Sequence, residues 1–325
     1  MVNYFFFILI VISLCFIILN NLLKKHKILI DNTKFSDHKK FTKEENVPFS
    51  GGIFFLFVIF FLLGGSNLTS FVILFLVFLL GIFSDLNKIT SPSTRILLQS
   101  LLIISYVIIN DLIVINTRLT LFDDILYNYR IVAVLFTFFC VIVLINGTNF
   151  IDGVNNLASG YYFVVFLNLI FLSRINEINI DQYFVYEFLI FIAIFLIFNF
   201  FSQSFLGDNG SYLLAFFVGF YLVGFYNMQN NISPYYIFLL LWYPVYENLF
   251  SIMRRFLFEK KKVKKADNLH LHHLLYKYLS KFLGKNRYLN SLTGILINFF
   301  NFIIIFPGNF YASKTNISIG LIFIG

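Results

Sequence analysis

"INGTNFIDGVNNLASG", Ile145 to Gly160, separates two runs that are almost wholly apolar, Ala133–Leu144 before it and Tyr161–Leu172 after it. The stretch holds four asparagines, one aspartate and three glycines. Runs of this kind read as helices crossing a bilayer, since about 20 apolar residues span about 30 Å of hydrocarbon. The polar island then falls at a membrane edge, where an uncompensated aspartate is costly. Asn146, Asn149 and Asp152 recur at a spacing of three, so on a helix they share one face. An amide-lined contact between helices is the plain explanation. A site with chemical work to do is the stronger one.

The rest of the chain extends that reading. Of its 325 residues 59% are hydrophobic and only 12% charged, with a mean hydropathy of +0.84; a soluble domain has about 25% charged residues. Continuous apolar runs, rather than short alternating segments, predict an all-α polytopic membrane protein and exclude a membrane β-barrel. Spans are expected near 4–23, 51–65, 68–84, 94–110, 131–146, 160–173, 183–200, 212–227, 235–252 and 289–307, with an eleventh beginning at 316 and stopping early. That makes about 10–11 helices in a single domain over 1–325, with the last helix incomplete. The first run lacks a basic start and a small-residue cleavage site, so it reads as an anchor. Cys15 and Cys140 lie inside apolar runs and are expected to be small buried hydrophobes rather than a disulfide. The 47 phenylalanines read as compositional bias.

Of the 24 Lys and Arg residues, all but Arg118, Arg130, Arg174 and Lys314 fall in or beside the odd-numbered loops, as do all five histidines. This asymmetry puts the odd loops in the cytoplasm and the N-terminus outside. The net charge of +8 then reflects topology and attraction to an anionic membrane surface, not nucleic acid.

The odd loops carry the reactive side chains. The first contains His38, Lys39 and Lys40, then Pro48, Gly51 and Gly52; the lysines can neutralise phosphate. The second places Asp85 where an apolar run ends, as a helix cap or a cation-binding carboxylate. The third is the polar island. The fourth, "GDNGS", puts Asp208 in a Gly-flanked turn with Ser211 at a helix start, an arrangement whose backbone N–H groups can face an anion. The fifth couples a lysine-rich stretch at 260–265 to "DNLHLHH", whose His270, His272 and His273 suit a diphosphate better than zinc. Carboxylates able to hold Mg²⁺, opposed by cations able to hold phosphates, are the parts of phosphoryl transfer. Siting them at a membrane surface points to one soluble anionic substrate and one lipid-borne.

Over residues of about 30–275 the chain resembles the polyprenyl-phosphate N-acetylhexosamine-1-phosphate transferases, which share a fold with phospho-N-acetylmuramoyl-pentapeptide transferase. The resemblance rests on five ordered motifs. Asp31, Lys39, Lys40, Pro48, Gly51 and Gly52 match the first. Asp85, Pro92, Arg95 and Gln99 match the second, with Ser84 in place of the first Asp of the usual pair. Asn146, Asn149, Asp152, Gly153, Leu157 and Ala158 match the third, with Asn155 and Asn156 where the family has Asp-Gly. Asn199, Gly207, Asp208, Gly210 and Ser211 match the fourth. Asp267, His270, His272 and His273 match the fifth, in the spacing of the hexosamine branch.

The resemblance implies an enzyme of the bacterial inner membrane. It joins a sugar-1-phosphate from a UDP-sugar, UDP-N-acetylglucosamine being the first to test, to polyprenyl (undecaprenyl) phosphate and releases UMP. That is a first membrane step of cell-envelope polysaccharide synthesis, lipopolysaccharide included. It implies Mg²⁺, with Mn²⁺ as a substitute, and a homodimer as a further expectation. Asp85, Asp152 and Asp208 would be catalytic. Asp208 and Asp85 would serve the metal. Asn149, Gly153, Asn155, Lys39, Lys40, His270, His272 and His273 would bind substrate. The alternatives are a homologue weakened by Ser84 and a polytopic lipid or sugar transporter. Transporter sites lie near the midplane at broken helices, whereas these residues cluster at one face.

Overall fold

The computed structural model describes residues 2–30, 46–63, 68–229, 231–254, 257, 270–284, 286 and 288–325. The described residues form helices and no strand. Six come first: α1 (Val2–His26), α2 (Gly51–Leu63), α3 (Leu68–Asp85), α4 (Pro92–Asn110), α5 (Thr120–Asn128) and α6 (Arg130–Ile151). Then follow α7 (Ala158–Asn176), α8 (Gln182–Phe200), α9 (Gly207–Met228) and α10 (Pro234–Arg254). The last are α11 (Leu271–Leu283), α12 (Leu289–Ile305), a 3₁₀ turn at Phe306–Tyr311 and α13 (Thr315–Ile324). Among the described residues nine helical segments are long and apolar enough to cross a membrane, and α2 and α13 are shorter apolar helices. The expected all-α polytopic architecture is present.

Two helices were not expected. The short α5 lies in a stretch read as an outward loop; Leu121 and Tyr127 are exposed on it and Leu126 is buried. The other, α11, forms within the basic fifth loop. Both cysteines are corrected as well: Cys15 and Cys140 are exposed, on the outer faces of α1 and α6, where the solvent is lipid.

The core is built around α9 and α7, which are the most enclosed spans. Outer helices turn large apolar groups outward, among them Phe7 and Ile10 on α1 and Leu97 and Leu101 on α4. With lipid as apolar as the core, close helix approach comes from small residues and shared hydrogen bonds. On α3 a Cβ at Gly81 would lie 2.3 Å from the Cα of Asn209, so α3 rests directly on the first turn of α9.

Pro244 stands inside α10 and has no N–H to give the carbonyl four residues back. That carbonyl, of Leu240, instead accepts the Tyr161 hydroxyl at 2.9 Å. The repair keeps α10 continuous through apolar surroundings, where an unsatisfied backbone group costs several kcal/mol. The helix therefore reaches the end that carries Glu247.

The odd connections gather at one end of the bundle. There Phe49 pairs with Phe205, and the Ser50 hydroxyl meets Ser204 at 2.8 Å. The even connections meet at the opposite end, where Arg118 binds the carbonyls of Ser313 and Asn231.

Candidate active site

The site is organised by the N-terminus of α9. The sequence places "GDNGS" in a turn before the helix; in the structure Gly207 already opens the helix and Ser211 is its fifth residue. Gly, Asp and Asn are poor helix formers, and they are held here from outside. The Asp208 N–H donates to Asp85 Oδ1 at 2.9 Å, and the Asn209 N–H to Asp85 Oδ2 at 3.0 Å. The Gly207 N–H donates to Asp152 Oδ2 at 3.1 Å. The first N–H groups of a helix have no internal partner and carry the positive end of its dipole. Two carboxylates from other helices, at the ends of α3 and α6, satisfy them. The N–H groups expected to face a substrate anion thus face the protein's own anions.

Asn209, which sequence reasoning passed over, completes this joint. It is fully buried; its Oδ1 accepts the Gly52 N–H at 2.7 Å, and its amide donates to the Phe49 carbonyl at 3.0 Å and to Asp85 Oδ2. The first, second and fourth motifs are locked together through one side chain.

The carboxylate of Asp208 points the other way. Its Oδ1 accepts Asn149 Nδ2 at 2.6 Å. Its Oδ2 accepts the hydroxyls of Ser84, at 2.5 Å, and of Tyr212, at 3.4 Å. Arg95 Nη1 lies 3.3 Å from the same oxygen and 3.1 Å from Ser84 Oγ. The Arg95 and Asp208 side chains keep 27% and 24% of their surface, so the pair stands at an opening. Ser84, where the family has an acid, acts as a donor to Asp208. A second carboxylate at that position would oppose Asp208 instead.

The polar island divides its work. Asn146 turns toward α4, with its amide 3.4 Å from Gln99 Oε1 and bonded to the Ile142 carbonyl. Asn149 and Asp152 reach α9. Gly153 is the meeting point with the fifth motif: a Cβ there would lie 2.2 Å from His272 Nε2. The third and fifth motifs thus touch, and Asp152, beside Gly153, links that contact to Gly207.

The three histidines are buried. His270 caps α11, and its Nδ1 lies 3.0 Å from Glu247 Oε2, while the Leu271 N–H donates to Glu247 Oε1 at 3.1 Å. The His272 and His273 rings sit 4.2 Å apart, centre to centre. Glu247 was not singled out from the sequence. Its signal was there, since an acid inside the apolar run 235–252 needs a buried partner.

Asn155, expected beside the nucleotide, is buried and directed elsewhere. Its amide donates to Ser202 Oγ at 2.9 Å, and its N–H donates to Asn290 Oδ1 at 3.3 Å. Lys39 and Lys40 lie outside the described residues.

Among the described residues no three or more His, Cys, Asp or Glu side chains form a metal-holding group. Mg²⁺ does not require one. It is commonly held by one or two carboxylates and completes its shell with water and substrate phosphates. Asp208, a partly exposed carboxylate among oxygen and nitrogen side chains, fits that use. Asp85 is held by backbone N–H groups of α9, which cannot turn aside, whereas the partners of the Asp208 carboxylate are side chains; the first arrangement suits a cap and the second a ligand.

No curated protein matches the chain. The family model described as "Glycosyl transferase family 4" matches residues 68–226, from the start of α3 almost to the end of α9. The matched segment holds Ser84, Asp85, Arg95, Asn149, Asp152, Gly153 and Asp208, and leaves out Glu247 and the histidines. That segment places residues 68–226 with glycosyl transferase family 4, the family of polyprenyl-phosphate N-acetylglucosamine-1-phosphate and phospho-N-acetylmuramoyl-pentapeptide transferases, and the match supports a membrane sugar-phosphate transferase acting on polyprenyl phosphate.

Proposed function

We propose that this chain transfers N-acetylhexosamine-1-phosphate from a UDP-sugar to polyprenyl phosphate at the cytoplasmic face of a bacterial inner membrane, with its N-terminus outside, in cell-envelope polysaccharide synthesis. The observation that carries the reading is the gathering of Ser84, Asp85, Arg95, Asn149 and Asp152 around Asp208 at the N-terminus of α9. A lipid phosphate oxygen attacks the sugar-bearing phosphorus of the donor. The new P–O bond forms as the bond from that phosphorus to the UMP oxygen breaks, and UMP leaves. The attacking phosphate is already an anion, so no side chain need remove a proton.

Catalysis of such a transfer is mainly positioning and charge stabilisation. Asp208 would hold Mg²⁺, or Mn²⁺ in its place; when bound, the ion neutralises charge on the diphosphate. Arg95 sits 3.3 Å from Asp208 and can turn its remaining donors to a phosphate. Asn149 fixes the Asp208 carboxylate. Asp152 and Gly153 line the nucleotide side, with His272 and His273 behind them toward the diphosphate. Asp85 acts by holding the α9 N-terminus in place.

The test is UMP release from UDP-N-acetylglucosamine in membranes supplied with polyprenyl phosphate. Asp208→Ala should lower it by about 10²–10³-fold, as loss of a principal charge-stabilising group does. Full activity in that variant would overturn the assignment. Substrate movement across the membrane without UMP release would favour a transporter.

A further inference from the structure

The turn from Asp152 to Leu157 leaves α6 at its C-terminus and enters α7. Its two ends face different parts of the protein. Asp152 and Gly153 face α9 and His272, while Asn155, Asn156 and Leu157 face α8 and α12. On that second side Asn298 Nδ2 donates to the Asn156 carbonyl at 2.7 Å and to the Leu157 carbonyl at 3.1 Å. Asn290 Oδ1 accepts the Asn155 N–H at 3.3 Å, and the Asn155 amide lies 3.4 Å from Ser291 Oγ. Ser291 Oγ in turn donates to the Phe200 carbonyl at 2.8 Å. From α8, Asn199 Oδ1 accepts the Asn156 N–H at 2.5 Å. Asn156 has φ of +61°, a left-handed conformation that asparagine tolerates better than most residues.

The contact is also close sterically. A Cβ at Gly294 would lie 2.1 Å from the Asn155 carbonyl oxygen and 2.9 Å from the Leu157 nitrogen. The buried polar face of α12, with Asn290, Ser291, Gly294 and Asn298, is therefore matched to the backbone of this turn. A spanning helix buries its amides against groups that can bond them, because lipid offers no partner. Here those groups belong to a fixed turn, whose carbonyls need donors in an apolar setting.

We propose that α12 is a clamp that positions the nucleotide side of the site. Asn298, Asn290 and Gly294 hold the turn from beneath, and through it they set where Asp152 and Gly153 stand. Asn155 belongs to the clamp and does not read the base. The proposal rests on the reading of the turn as the nucleotide side, and α12 lies outside the residues matched to the family.

Asn298→Leu keeps the branched shape and the number of side-chain heavy atoms and removes the donor, and Gly294→Ala inserts a methyl group against the turn. Each should raise KM for the UDP-sugar on the order of tenfold or more, as displacement of a positioning element does. KM for polyprenyl phosphate should stay as in the unaltered protein. Amide hydrogen exchange at residues 153–157 should speed up in detergent. Asn301→Leu, the same change three residues along α12, should do neither. Unchanged exchange in the turn would overturn the clamp, as would equal loss against both substrates accompanied by lower heat stability. Asn155→Asp should leave the preference for UDP- over CDP-sugars unaltered; a switched preference would return Asn155 to the base. Absence of UMP release from the unaltered protein would sink the functional reading instead, and the exchange measurement would still test the clamp.

Discussion

A single methyl group at Gly81 tests the joint between α3 and α9. The Cβ of Gly81→Ala would stand 2.3 Å from Asn209 Cα, 2.6 Å from Asn209 N and 2.7 Å from the Asp208 carbonyl oxygen. Ordinary carbon contacts begin near about 3.5 Å, a shortfall of about 1.2 Å. All three obstructing atoms are backbone, so no side chain can swing aside. The two helices must part at the level of Asp85, whose carboxylate binds the N–H groups of the same turn. Overpacking of this kind costs about 1–3 kcal/mol. A displacement near 1 Å in a catalytic group costs about 100-fold in rate. Gly81→Ala should therefore fold with a modestly lowered melting temperature in detergent, yet release UMP about 100-fold more slowly. Gly320→Ala, where a Cβ meets nothing within 4 Å, is the control. UMP release by Gly81→Ala within about twofold of the unaltered protein would refute the view that the register of α3 on α9 sets the site.

Substitutions at two further positions separate holding from chemistry. Asp85→Ala strands two helix N–H groups and should cost about 0.5–2 kcal/mol of stability, the usual worth of a cap. Asp85→Asn keeps an acceptor oxygen and should recover a good part of both stability and UMP release; equal inactivity of the two would give the carboxylate a direct chemical duty. Glu247→Ala removes the partner of His270 and of the Leu271 N–H, at about 1–3 kcal/mol for buried groups left unpaired. It should weaken UDP-sugar binding with little effect on the lipid substrate, measured as separate KM values.

Much of this protein was legible in order along the chain. Continuous apolar runs can only be helices in a bilayer, because every backbone group must find its partner within its own segment. The positions of Asp85, Asn149, Asp152, Asp208 and the histidines were legible too, since polar side chains at the ends of such runs are costly without a purpose. Helix ends were read short. Motif residues extend α9 at its start because carboxylates from the ends of α3 and α6 satisfy its first N–H groups, and such partners are invisible to local propensity.

The sequence alone determined a helical membrane protein with its motif residues in the connections of one side. Tertiary structure decided what each of them does. Asp85 faces helix N–H groups while Asp208 faces an opening; Asn155 turns into α12 while Asn149 turns to Asp208; Glu247 orients His270; Gly81 admits Asn209. The reason is physical. Hydrophobicity is a property of each residue and accumulates along a run, whereas a hydrogen-bond partner or a steric fit is a relation between residues that only the packed helices bring together.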